Sequence, residues 1–164
     1  MVLVVPKKTF FIMKTSLKYP LFIVFILVVT SCVSTKSTLK NVDNTAPIPT
    51  LTKDNTFVLS ASSQDTKYGY NPDYPINVFY QNTKDENLNA ERFLNALAGP
   101  NGQKLTFAKL ESCCPFPTKR IDVGAGFLDI YELKWIGQTK PVKLYLNIYE
   151  RGYLLVPVGL SLKK

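Results

Sequence analysis

No histidine occurs among the 164 residues of this chain. A Ser-His-Asp triad, a Cys-His dyad, an HExxH zinc site and a histidine metal cage are therefore excluded. Cysteine is scarce, with Cys32, Cys113 and Cys114 the only three. A metal held by Cys113 and Cys114 would need two further ligands, so neither a metal nor another cofactor is expected. There is no run of four or more Lys or Arg, and nucleic acid binding, which needs a clustered basic face, has no support. Glycine motifs are incomplete. Gly124-Ala125-Gly126 lacks the third glycine of a dinucleotide fingerprint. Residues 99–104 lack the Ser or Thr that follows the lysine of a phosphate loop, and they follow a helical pattern where such a loop would precede one. What is present is apolar content of 46% against 20% charge, enough for one globular domain and too apolar for a disordered chain.

The N-terminus carries an address. Met13 opens a second candidate start, Lys14 and Lys18 form a basic region, and residues 21–29 are nine consecutive apolar residues. That run is short of the roughly 20 residues needed to span a bilayer and matches the core of a secretory signal. Val29-Thr30-Ser31-Cys32 follows it and resembles a bacterial lipobox, in which small residues fit the signal peptidase and the thiol takes the lipid. Residues 1–31 are read as a signal peptide, with Met13 as the true start, and Cys32 as the lipidated mature N-terminus. Removing them takes away four lysines and leaves 16 basic against 12 acidic groups, a charge of +4 in place of +8. The membrane is thus the first expected partner. The first acidic residue after Cys32 is Asp43, too distant for a surface-export mark, which places the domain on the periplasmic side of an outer membrane.

Ser, Thr, Asn, Lys and Pro dominate residues 32–55, which read as a flexible tether. Residues 56–164 form the expected domain. Short strands are predicted at residues 56–59 and 76–80, with turn chemistry between them at Gly69, Pro72 and Pro75. Ala90, Phe93, Leu94 and Leu97 fall on one stripe and predict a helix over residues 86–98, started by Asp85 and stopped by Gly99-Pro100. Beyond Lys104 the pattern is strand. Val142, Leu144, Leu146 and Ile148 alternate with Lys143, Tyr145, Asn147 and Tyr149, Tyr131, Leu133 and Trp135 alternate with Glu132 and Lys134, and residues 153–158 close the series. The expected fold is α+β: an antiparallel β-meander with one amphipathic helix packed on it.

Ser112-Cys113-Cys114-Pro115-Phe116-Pro117 is the sharpest candidate for chemistry, read as closing a strand. Neighbouring Cα atoms lie about 3.8 Å apart, whereas disulfides prefer about 4.4–6.8 Å, so a bridge between Cys113 and Cys114 would be a kink or a switch rather than a staple. A bridge or free dithiol of structural importance, a redox-active pair and cysteines bonded to a partner chain all remain open. Thiol catalysts space their cysteines as C-x-x-C, which this pair does not. Asp129 shares a strand face with Tyr131, Leu133 and Trp135, and a buried carboxylate there needs a partner, for which Lys119 and Arg120 are candidates. Tyr68, Tyr70, Asn71, Asp73 and Tyr74 combine aromatic faces with polar groups, as sugar- or peptide-binding loops do and as loops packed on their own domain also do.

Tyr68-Gly69-Tyr70-Asn71-Pro72, Arg92-Phe93-Leu94-Asn95-Ala96-Leu97 with Gly99-Pro100-Asn101-Gly102, Ser112-Cys113-Cys114-Pro115-Phe116 and Leu144-Tyr145-Leu146-Asn147-Ile148-Tyr149 resemble a group of small uncharacterised lipoproteins from Bacteroidota-type bacteria. The resemblance covers nearly the whole domain, and the Cys-Cys-Pro-Phe segment is its most specific part. It implies a secreted, lipidated domain without an established activity. Members are sometimes labelled as a sugar-phosphate (2-dehydro-3-deoxyphosphooctonate) aldolase, but enzymes of that kind are cytoplasmic barrels of about 250 residues or more and this domain is too short. The expected function is a non-enzymatic envelope lipoprotein that binds or scaffolds an envelope protein or glycan. A thiol-dependent redox or sensing protein using Cys113 and Cys114 is the alternative.

Overall fold

The computed structural model describes residues 37–80 and 83–164. Cys32, the signal segment and the start of the tether lie outside the described residues. Six strands and one helix follow in chain order: β1 (Ile76–Asn77), α1 (Leu88–Leu94), β2 (Leu97–Ala98), β3 (Thr106–Pro117), β4 (Ala125–Lys134), β5 (Val142–Asn147) and β6 (Ser161–Leu162). The main sheet has the order β1-β5-β4-β3, and β2 and β6 form a separate antiparallel pair. Among the described residues the fold is sheet-rich α+β with a single short helix.

The meander expectation needs correction. Strands β3, β4 and β5 are antiparallel neighbours, but β1 pairs parallel to β5, Ile76 opposite Leu146 and Asn77 opposite Asn147. The sheet is therefore mixed and open. Parallel pairing requires a long crossover, and here α1, β2, β3 and β4 all lie between the two strands.

Alternation along β5 marks the face that carries the main core. Leu144 and Leu146 are fully buried beside Tyr131 and Leu133 of β4, and Ile76 of β1 joins them. Ala90, Phe93, Leu94 and Leu97 all lie in the same hydrophobic core, with Phe57, Leu59, Tyr68 and Val156. Truncating one of the fully buried leucines is expected to cost about 2–5 kcal/mol.

The helix is shorter than the apolar stripe predicts. It starts later than expected: the N-cap is Asn87, without a side-chain cap hydrogen bond, and Asp85 stands two residues before it, its carboxylate accepting from the Asn87 N–H at 2.9 Å. The helix ends at Leu94 because Ala96, Leu97 and Ala98 are drawn into pairing with the C-terminal strand. Leu97 faces Leu162, Ala98 faces Ser161, and the Lys163 N–H donates to the Ala96 carbonyl at 2.9 Å. The burial pattern is kept while the backbone changes. Residues 153–158 form an isolated parallel bridge, Ser62 to Val156, rather than a closing ladder strand.

The tether is the second correction. Its described part, residues 37–55, lies along the domain. Lys40 donates to the Asp73 carbonyl at 2.8 Å, Asp43 to the Arg151 carbonyl at 2.7 Å, and Ala46 is fully buried. The polar side chains that look solvated in the sequence are partners of a buried amide chain. Asn147 Nδ2 donates to Asn77 Oδ1 at 2.8 Å, Asn77 Nδ2 to the Asn41 carbonyl at 3.0 Å, and Asn41 Nδ2 to the Pro75 carbonyl at 2.6 Å. Gly152 lets this packing close, since a Cβ there would sit 2.9 Å from the Asn41 carbonyl oxygen and 3.0 Å from Asn77 Nδ2.

Limited proteolysis is expected to leave residues 40–55 on the resistant core, with protection close to that of β5. N-terminal sequencing of the resistant fragment checks this, and a fragment beginning near Thr56 would restore the tether reading.

Candidate functional site

Cys113 and Cys114 are bonded to each other, with their Cα atoms 3.8 Å apart. The pair does not close a strand. β3 runs on through Pro117, and the cysteines sit in a bulge where β3 carries one residue more than β4 between Cys113–Leu128 and Phe116–Gly126. Cys114 adopts a φ of 57°, in the left-handed region that non-glycine residues seldom occupy. Pro115 disfavours the right-handed helical region for Cys114, so the adjacent bond and the proline hold one corner together. Both cysteines are half-buried.

Asp129 is buried at 3% exposure, as its place on the Tyr131 face predicts. Its partners differ from expectation. Lys109 Nζ lies 2.7 Å from Oδ1, and the Ser112 hydroxyl donates to the same oxygen at 2.6 Å. Register explains the choice: Ser112 faces Asp129 directly, and Lys109 faces Tyr131, two residues along the same face. Lys119 and Arg120 lie past the end of β3 and serve elsewhere. Asp129 Oδ2 is buried without a hydrogen-bond partner among the described residues. The Tyr131 hydroxyl is pushed from 10.0 up to about 12 by burial first, and then by the charges of Asp129, Glu91 and Asp85.

The tyrosine loop packs onto its own domain. The Tyr68 hydroxyl donates to the Tyr153 carbonyl at 3.1 Å and accepts from the Leu155 N–H at 3.1 Å, while the Tyr70 hydroxyl donates to the Val158 carbonyl at 2.6 Å. Burial pushes both phenols up. Asn71 Oδ1 accepts the Asp73 N–H at 2.8 Å, an ordinary turn contact, and Lys67 lies over the Tyr74 ring. Four of these residues thus hold the C-terminal segment or their own turn. Tyr68 and Tyr74 also border a cleft of about 400 Å³ that includes Tyr153.

A second cleft, of about 470 Å³, lies where α1, the segment after β1 and the loop after β3 converge. Phe79, Glu86, Asn89, Lys119, Arg120 and Tyr149 line it. The loop is closed by the Thr118 N–H donating to the Gly124 carbonyl at 3.0 Å, with Gly124 at a φ of 73° that favours glycine. Below the loop, Glu150 is buried at 6% exposure with both oxygens engaged: Oε1 accepts the Thr118 hydroxyl at 2.7 Å, and Oε2 accepts Asn44 Nδ2 at 3.1 Å. The Arg120 N–H then donates to Thr118 Oγ1 at 3.2 Å, and its guanidinium stacks 4.5 Å above the Phe79 ring. Among the described residues, neither Lys119 nor Arg120 has a carboxylate within 4.0 Å. The cleft therefore offers two uncompensated cations on a fixed loop, two aromatic rings, an amide and the Glu86 carboxylate.

No protein-family model, curated protein or solved structure matches this chain. The geometry alone identifies candidate sites. The sequence placed Lys119 and Arg120 as partners of Asp129 and did not bring Phe79, Glu86, Asn89 and Tyr149 together, because the four come from three separate elements. The one signal available was adjacency, two cations side by side between Thr118 and Ile121 on a strand-to-strand connection.

Changing Cys113 and Cys114 together to Ser should lower stability by about 1–3 kcal/mol, because the left-handed corner loses its cross-link. Native protein should label slowly and incompletely with a thiol probe after mild dithiol treatment. Urea unfolding and mass spectrometry read the two effects.

Stability should also fall as pH rises from 10 towards 12. Over that window the unfolded chain has already released the Tyr131 proton that the fold retains, so the unfolded state binds fewer protons and is favoured. Tyr131→Phe should flatten the fall in Tm between pH 10 and pH 12, leaving the part due to the other tyrosines, among them Tyr68, Tyr70 and Tyr80, whose hydroxyls burial also pushes up.

Proposed function

We propose that this protein is a lipid-anchored envelope domain that binds another envelope component without catalysis, facing the periplasm from the outer membrane. The observation that carries the binding role is the cleft of about 470 Å³ with Lys119 and Arg120 uncompensated at its border. Its volume lies in the usual range for ligand sites, and its mixture of aromatic surface with a few fixed polar groups is what such sites present. The anchor rests on the sequence, Met13 through Cys32 with its apolar run and small residues before the thiol, and on the resemblance to small lipoproteins of Bacteroidota-type bacteria. No helix among the described residues is long and apolar enough to cross a membrane. Each buried CH₂ contributes about 0.8 kcal/mol, and two or three chains anchor firmly where one does not.

A redox or sensing role is the second reading. The bonded, half-buried Cys113–Cys114 pair on the terminal strand of the main sheet favours it. Rapid stoichiometric labelling of one cysteine together with reductase or isomerase turnover would establish it in place of the binding reading.

Cys32→Ala should move the protein from the membrane to the soluble fraction. Charge reversal of Lys119 and Arg120 to Glu should keep the protein on the membrane and abolish the component that co-purifies from detergent-solubilised membranes. Retention of Cys32→Ala on the membrane, with an unmodified N-terminus in the wild type, would sink the anchor. An unchanged co-purification profile after charge reversal would sink the site.

A further inference from the structure

We propose that the cleft bordered by Lys119 and Arg120 takes a saccharide bearing a carboxylate. The proposal rests on the binding-domain reading above and names the ligand class for that site. It follows from the mixture of charges in the cleft. Lys119 and Arg120 have no carboxylate within 4.0 Å among the described residues, yet Glu86 lines the same cleft. A ligand must satisfy both signs.

A phosphate group would answer the cations and meet Glu86 with like charge. A neutral sugar would answer Glu86 with hydroxyl donors and leave both cations facing nothing. A carboxylated sugar does both: its carboxylate accepts from the guanidinium, in the two-point geometry that favours arginine, and its hydroxyls donate to Glu86. The Tyr149 ring supplies a flat apolar surface for the C–H face of a sugar ring. Asn89, buried to 5% exposure with its Oδ1 accepting Arg92 Nη1 at 3.0 Å, lines the same cleft with its amide. An acidic peptide would engage the cations but offers fewer hydroxyl donors for Glu86 and no puckered ring for Tyr149.

The site is held in advance of the ligand. Contact with the Phe79 ring restrains the Arg120 guanidinium, and the Thr118 hydroxyl, held by buried Glu150, positions the Arg120 backbone. Arg120 Nη2 reaches Asn44 Oδ1 at 3.3 Å, which ties the same side chain to the segment before the domain. These contacts leave the Arg120 side chain less freedom to lose on binding, and that favours affinity from few contacts.

The test uses the full mature chain in detergent micelles and calorimetric titration with defined probes. Two acidic probes, the N-acetylglucosamine–N-acetylmuramic acid disaccharide and a galacturonic acid oligosaccharide, are compared with neutral chitobiose, inorganic phosphate and a triglutamate peptide. At least one acidic sugar should bind with Kd below about 1 mM and at least tenfold more tightly than chitobiose, phosphate or the peptide. The double variant Lys119→Gln/Arg120→Gln should lose about tenfold or more for the acidic sugar, in line with charge-assisted hydrogen bonds, and change chitobiose little. Glu86→Gln, an exposed change, should weaken the acidic sugar, whereas a plain anion site would bind every anion more tightly once Glu86 is neutral. Binding of neither acidic sugar, preference for phosphate or peptide, or tighter sugar binding by Glu86→Gln would each overturn the proposal. Circular dichroism melting confirms that the variants are folded. Failure here with Cys32→Ala released from membranes leaves the envelope reading standing, whereas sugar binding by a protein that Cys32→Ala does not release removes the anchor and keeps the site.

Discussion

The chain of amide hydrogen bonds through Asn41, Asn77 and Asn147 is the constraint on which the main sheet's first edge depends. β1 is two residues long, and so short a parallel pairing contributes little by itself. The buried amides make it specific. Leaving one unpaired costs roughly 1–3 kcal/mol for each group stranded in a dry interior, so register and partner are decided together. Because Asn41 belongs to the stretch at residues 37–55 and Asn147 to β5, one set of contacts joins that stretch, a minimal strand and the sheet.

A second buried polar centre does the same for the loop after β3. Glu150 lies just beyond β5, and its two oxygens take the Thr118 hydroxyl and the Asn44 amide. Thr118 opens the loop that carries Lys119 and Arg120, so the cations are positioned by an acid they do not touch. Breaking this network by removing Glu150 would strand two donors, and the loop would lose its floor before the core lost any apolar contact.

Much of the apolar architecture was legible in the sequence. The stripe Ala90, Phe93, Leu94 and Leu97 and the alternation of Leu144 with Leu146 both mark buried positions, because periodicity reports which side chains must leave water. Periodicity does not report backbone partners. Leu97 and Ala98 fit the helical stripe and yet pair with β6, since a distant strand offered their amides hydrogen bonds that a helix end could not. Residues 37–55 look solvated by composition, and their order comes from specific amide contacts that no hydropathy pattern registers. At the candidate sites, adjacency made Cys113 and Cys114 conspicuous. The cleft was invisible for the opposite reason: the stretch with Phe79, Glu86 and Asn89, the pair Lys119 and Arg120, and Tyr149 are far apart in sequence and meet only through topology.

The ordered stretch that begins at Lys40 has a consequence for reach. Lys40 is already bonded to Asp73, so if the lipid sits on Cys32, only eight residues connect the anchor to a fixed point on the domain. At about 3.3–3.6 Å per residue the fully drawn span is about 28 Å at most, whereas a tether running to residue 55 would allow nearly three times that. With a lipid on Cys32, the domain would be leashed within a few nanometres of the bilayer surface. A ligand for such a leashed domain would be something found against the membrane, met in a thin layer where even a millimolar contact is filled by proximity.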